Sequence, residues 1–98
     1  MKWSDIHWSK HLYSDSKTAR LAFADYELSI VEENGEPDLF ECAIFRDGNF
    51  IQLPGIHPHP EEGVLWDDVL RFQTREEVIG IVRKLESITG KAPLNVNN

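Results

Sequence analysis

The sequence predicts an α+β fold: a small antiparallel sheet of three or four strands in a meander, packed against a C-terminal amphipathic helix, with a possible short N-terminal helix. Three observations predict it. Thr74 and Glu77 have the spacing of a capping box at the head of an apolar helical stripe. Asp47-Gly48 is a two-residue hairpin signal between apolar runs. Tyr26, Leu28 and Ile30 alternate with Glu27 and Ser29, the period of a half-buried strand.

In chain order, Ser4 is placed to cap a short helix that sets Trp8 and Leu12 on one face. Ser14 to Lys17 reads as a loop. Thr18 to Glu32 reads as strand, but Leu21 and Phe23 have the opposite parity to Leu28 and Ile30. A bulge near Ala24-Asp25 would bring both sets to one face, because one extra residue inverts the alternation. Glu33 to Asp38 holds the glycine and proline of a turn.

A type I′ turn at Asp47-Gly48 pairs Arg46 with Asn49, Ile44 with Ile51, and Cys42 with Leu53. Phe45 and Phe50 then pair on the other face. Pro54-Gly55 ends that strand, and the alternating prolines of residues 56–63 exclude regular structure. A further strand is expected over Val69 to Gln73, with Leu70 and Phe72 inward and Val64 and Trp66 as a possible extension. The helix carries Val78, Ile81, Val82, Leu85 and Ile88 as its stripe, Gly90 as a left-handed C-terminal cap, and Pro93 beyond it. Gly80 in its interior suggests close backbone contact with the sheet. Residues 1–91 read as one domain and 92–98 as a flexible tail.

Composition narrows the function classes. Net charge is −7, and residues 25–77 hold fourteen carboxylates against Arg46, Arg71 and Arg75. Both flanking segments are slightly basic. An acidic middle repels nucleic acid and anionic membranes and favours a basic protein partner. No run approaches the ~20 apolar residues that span a bilayer, and no secretory leader is recognisable. The lone Cys42 sits in an apolar run, which reads as a buried, inert thiol and predicts a cytoplasmic protein.

Two functional readings follow. The first is a non-enzymatic interaction protein of inhibitor, immunity or nucleic-acid-mimic type, with a basic protein partner. Its binding carboxylates would be Glu32, Glu33, Glu36, Asp38, Glu61, Glu62, Asp67 and Asp68. Short length, acidity and a hairpin-then-helix order are of the kind seen in small accessory proteins of phages and mobile elements. The second is a metal-binding module or metal-dependent enzyme holding a divalent ion. His7 and His11 are four apart, and His57 and His59 flank a proline, so each pair can face one way. None of the familiar zinc spacings is complete, so no cofactor is expected by default. A homodimer built on Trp66, Phe45 and Phe50 is a third possibility.

Overall fold

Apolar parity changes between Phe23 and Tyr26, and the chain reverses there. The computed structural model describes residues 1–10, 16–33, 36–57 and 69–96. Strands β1 (Ser9–Lys10), β2 (Lys17–Phe23), β3 (Tyr26–Glu33), β4 (Glu36–Arg46), β5 (Asn49–Phe50), β6 (Val69–Gln73) and β7 (Leu94–Asn95) form one antiparallel sheet, with helix α1 (Arg75–Thr89) packed on it. The order runs β1-β2-β3-β4-β5, a meander; β6 joins β4 and β7 joins β2. Seven strands among the described residues exceed the three or four expected: the segment read as one strand is two, β2 and β3, and the two-residue pairings β1 and β7 are too short to leave a periodic signal.

The single strand expected over Thr18 to Glu32 is a hairpin. Phe23 pairs with Tyr26 and Leu21 with Leu28 across a two-residue turn at Ala24-Asp25. Opposed residues of an antiparallel ladder share a face. The turn, not a bulge, therefore puts both parities on one side. Ala24 adopts a φ of 55°, a left-handed conformation costing a non-glycine residue roughly 1–2 kcal/mol.

Four cross-strand rows share the face that carries the core: Phe23, Tyr26 and Arg46; Leu21, Leu28 and Ile44; Ala19, Ile30, Cys42 and Leu70; and Glu32, Phe40 and Gln73. Val78, Ile81, Val82 and Leu85 of α1 close it from above, and all four are buried. Ile88, expected in that stripe, is 48% exposed at the helix end. Thr74 Oγ1 accepts the Glu77 backbone N–H at 3.2 Å, and Glu77 returns a carboxylate to the Thr74 N–H at 3.1 Å. Gly90 closes the helix with φ 66°, its N–H donating to the Glu86 carbonyl.

The Asp47-Gly48 turn forms with both residues at positive φ and pairs Phe45 with Phe50 and Arg46 with Asn49. Ile51 donates to the Ile44 carbonyl at 3.0 Å. Pairing stops there: Cys42 faces Leu70 of β6, not Leu53, because β6 takes the same edge of β4. Glu36 to Asp38, expected in a turn, already belong to β4. In β6 an extra residue opposite Glu41 breaks the register. Phe72 there has φ 55° and is 56% exposed, so it does not face inward.

The N-terminal helix is replaced by one 3₁₀ turn, Trp3–Asp5, held by the Lys2 backbone N–H on Asp5 Oδ2 at 2.8 Å. Ile6 is buried beyond it, and Trp3, Trp8 and Phe40 pack with ring centroids 4.9 to 5.6 Å apart. A helix through Leu12 would have left the Thr18 end of β2 unpaired; Ser9 and Lys10 pair it instead.

Within residues 92–98, expected as a flexible tail, Leu94–Asn95 form β7 against Leu21 and Ala22. Asn95 ties both termini together: its Oδ1 accepts the His7 N–H and its amide donates to the Asp5 carbonyl, each at 3.0 Å. That anchor is one polar side chain, with no periodicity to announce it.

Gly80 makes no close approach to the sheet: a Cβ there meets nothing within 4 Å. Gly80→Ala is expected to stabilise the protein by about 1 kcal/mol, raising the melting temperature by ~4–8 °C. A lowered melting temperature would show that the glycine is needed after all.

Candidate functional site

The meander places the Ala24-Asp25 and Asp47-Gly48 turns at the same end of the sheet. Asp25, Glu27 and Asp47, with Arg20, Phe45 and Gly48, line an open hollow of about 380 Å³ there. Arg20 pairs with Glu27 at 3.3 Å, and Arg46 pairs with Asp25 at 3.3 Å while lying over the Tyr26 ring. The Asp47 carboxylate has no cation partner among the described residues. None of these carboxylates stands out in the sequence as a binding residue. The signal available was the hairpin parity at Ala24-Asp25, which brings Asp25 next to Asp47.

The carboxylates singled out from sequence divide. Glu61, Glu62, Asp67 and Asp68 lie outside the described residues, as does Trp66. Glu32, Glu33, Glu36 and Asp38 cluster at the opposite end of the sheet, around the β3–β4 hairpin. Glu36 and Asp38 are exposed, and Asp38 accepts from Arg75 at 3.2 Å. Arg75 also covers the Trp3 ring, 5.4 Å from its centroid, so this ion pair caps the aromatic cluster. Glu33 differs: its side chain is 7% exposed, and Oε2 lies 3.5 Å from Arg71. Its Oε1 is buried without a hydrogen-bond partner among the described residues. A partner could reach Glu33 only by displacing Arg71, so Glu33 is poorly placed as a docking carboxylate.

The histidine pairs are not shown to meet. His11 and His59 lie outside the described residues, and His7 is not in a helix, being followed by strand β1, so the helical spacing expected for it is absent. His57 is buried. Its Nδ1 accepts the Leu53 backbone N–H at 2.9 Å, and its own N–H returns to the Leu53 carbonyl at 2.9 Å. The side chain thus closes the turn over residues 53–57, which Lys84 of α1 joins through the Gly55 carbonyl. Nδ1 is thereby taken up by the backbone and is not offered to an ion. Among the described residues no group of three or more His, Cys, Asp or Glu side chains is arranged to hold a metal.

Cys42 is buried at the centre of the core face. Burial, with smaller contributions from the Glu41 and Glu77 charges, pushes its thiol up to about 12. A thiol held protonated is neither nucleophile nor ligand.

No helix among the described residues is long and apolar enough to cross a membrane. No family model, curated protein or solved structure matches the chain.

Two measurements test these local assignments. His57→Leu removes the acceptor of the Leu53 N–H and is expected to cost ~1–3 kcal/mol. His57→Asn, which offers an amide oxygen near the Nδ1 position, should recover part of that loss in urea denaturation. Equal losses in both variants would show that ring packing, not the hydrogen bond, holds the turn. For Cys42 the folded pKa lies above the ordinary 9.0, so its stabilising contribution is complete below pH 9 and is lost as pH rises from 9 towards about 12. Cys42→Ala, normalised to its own stability at neutral pH, should therefore decline less steeply across that window. Parallel declines would contradict the assignment.

Proposed function

We propose that the protein is a non-enzymatic interaction protein whose carboxylate-bearing sheet engages a basic protein partner. The observation that carries this reading is a surplus of acidic groups that the fold does not use. Among the described residues, Glu32, Glu36 and Asp47 have no cation partner, and Asp38, though paired, is 82% exposed. They sit at the two ends of one sheet, beside turns; Glu36, Asp38 and Asp47 are exposed to a partner, and Glu32 is half-buried. The chain as a whole carries −7, which speeds encounter with cationic proteins and opposes binding to phosphate backbones. Carboxylates arrayed this way suit inhibitor, immunity or nucleic-acid-mimic roles, in which they occupy a basic groove.

Exposed charge pairs are screened over a Debye length of about 8 Å at physiological salt. Partners captured on the immobilised protein should therefore be basic and should release as salt is raised. Retention that is equally firm at low and high salt would overturn the reading.

A further inference from the structure

Strand register arranges a continuous row across the sheet face opposite α1. Leu94 faces Ala22, Ala22 faces Glu27, Glu27 faces Phe45, and Phe45 faces Phe50. Five strands at ~4.8 Å spacing make this row ~19 Å long. Its ends are open: Leu94 is 71% exposed and Phe50 52% exposed. The Phe45 and Phe50 rings pack with centroids 4.4 Å apart. No described helix covers the row, since α1 lies on the core face with Val78, Val82 and Leu85 buried there. Along its middle runs the hollow lined by Asp25, Glu27 and Asp47.

We infer that this row is the docking surface for a cationic amphipathic segment of a basic protein, an assignment that rests on the function proposed above. Aliphatic or aromatic side chains of the segment cover Phe45, Phe50 and Leu94, while a lysine or arginine meets Asp47. Charge selects this occupant. Three carboxylates line the hollow; Glu27 is paired with Arg20 and Asp25 with Arg46, which leaves Asp47. The remaining carboxylate, Asp47, lies one turn residue from Arg46 and two from Phe45, so a cation bound there brings its apolar neighbours onto the rings. Size argues against a second copy of the chain. A strip ~19 Å by ~10 Å offers on the order of 200 Å², well under the ~800 Å² per partner of a stable folded interface. Two chains each carrying −7 also repel one another.

The test uses the full chain, ¹⁵N-labelled, titrated with a synthetic leucine–lysine amphipathic helix of about 14 residues, long enough to span the row. Amide shifts should saturate and concentrate at Ala22, Glu27, Phe45, Phe50 and Leu94. Phe50→Ser should weaken binding about tenfold and Asp47→Asn about threefold, with melting temperatures close to that of the parent. Asparagine tolerates the positive φ at this turn, so Asp47→Asn removes charge without straining the backbone. Saturable shifts confined to residues 32–38, with the row silent, overturn this inference but leave the basic-partner reading standing. So do unchanged affinities in both variants. Absence of saturable binding even at low salt overturns the inference, and release of captured partners by salt then decides the broader reading separately.

Discussion

The two-residue reversal at Ala24-Asp25 is the constraint on which the rest of the structure depends. Before it, the apolar residues are Ala19, Leu21 and Phe23; after it, Leu28 and Ile30. A straight strand would send these sets to opposite faces, and neither half would bury enough apolar surface to hold a helix. Reversal with an even-numbered turn pairs odd positions with even ones, and one continuous core face results. Helix α1 then has a surface wide enough to bury four side chains. The cost is a left-handed alanine, and burial of Leu21, Phe23, Leu28 and Ile30, all fully inaccessible, outweighs it: each contributes about 1.5–3 kcal/mol.

Edge management follows from the same reversal. With β2 at the outside of the meander, its free backbone groups would be a template for another chain. Two short strands from opposite ends of the chain cover it, β1 at Lys17-Thr18 and β7 at Leu21-Ala22. Asn95 links them through the His7 N–H and the Asp5 carbonyl. The aromatic cluster of Trp3, Trp8 and Phe40 seals the end of the core beside it, under Arg75.

The legible features are those whose chemistry is local. Thr74, Glu77 and Gly90 satisfy the ends of one helix from within a few residues, and Asp47-Gly48 supplies its own positive φ values. The hairpin at Ala24-Asp25 was written as a parity change, but alanine carries no turn chemistry, so a bulge explained the same pattern equally well. Phe72 misled for a similar reason: alternation from Leu70 points it inward, and only the extra residue opposite Glu41 turns it out. The Asn95 anchor and the β6 pairing depend on which edge of β4 or β2 is vacant, a property of the assembled sheet. At the candidate site, acidity was legible and grouping was not. Carboxylates near in sequence, Glu32 to Asp38, proved to include a buried one, while Asp25 and Asp47, distant in sequence, line one hollow.

The charge pattern separates what the fold uses from what it leaves over. Arg20, Arg46, Arg71 and Arg75 each meet a carboxylate, at 3.2 to 3.5 Å for the nearest pairs. Three of these pairs are substantially exposed, so each adds little, about 0–1 kcal/mol. Arg71 meets Glu33, which is taken out of water, and Arg75 covers the Trp3 ring. Glu32, Glu36 and Asp47 repel their neighbours without a compensating cation among the described residues, and a compact chain at −7 is less stable for carrying them. None of the three carboxylates caps α1 or holds a hydrogen bond or ion pair among the described residues. A feature that the fold tolerates but does not need calls for an explanation outside the fold. Attraction to a cationic partner supplies one, and the aromatic row beside Asp47 supplies the apolar contact that charge alone does not provide.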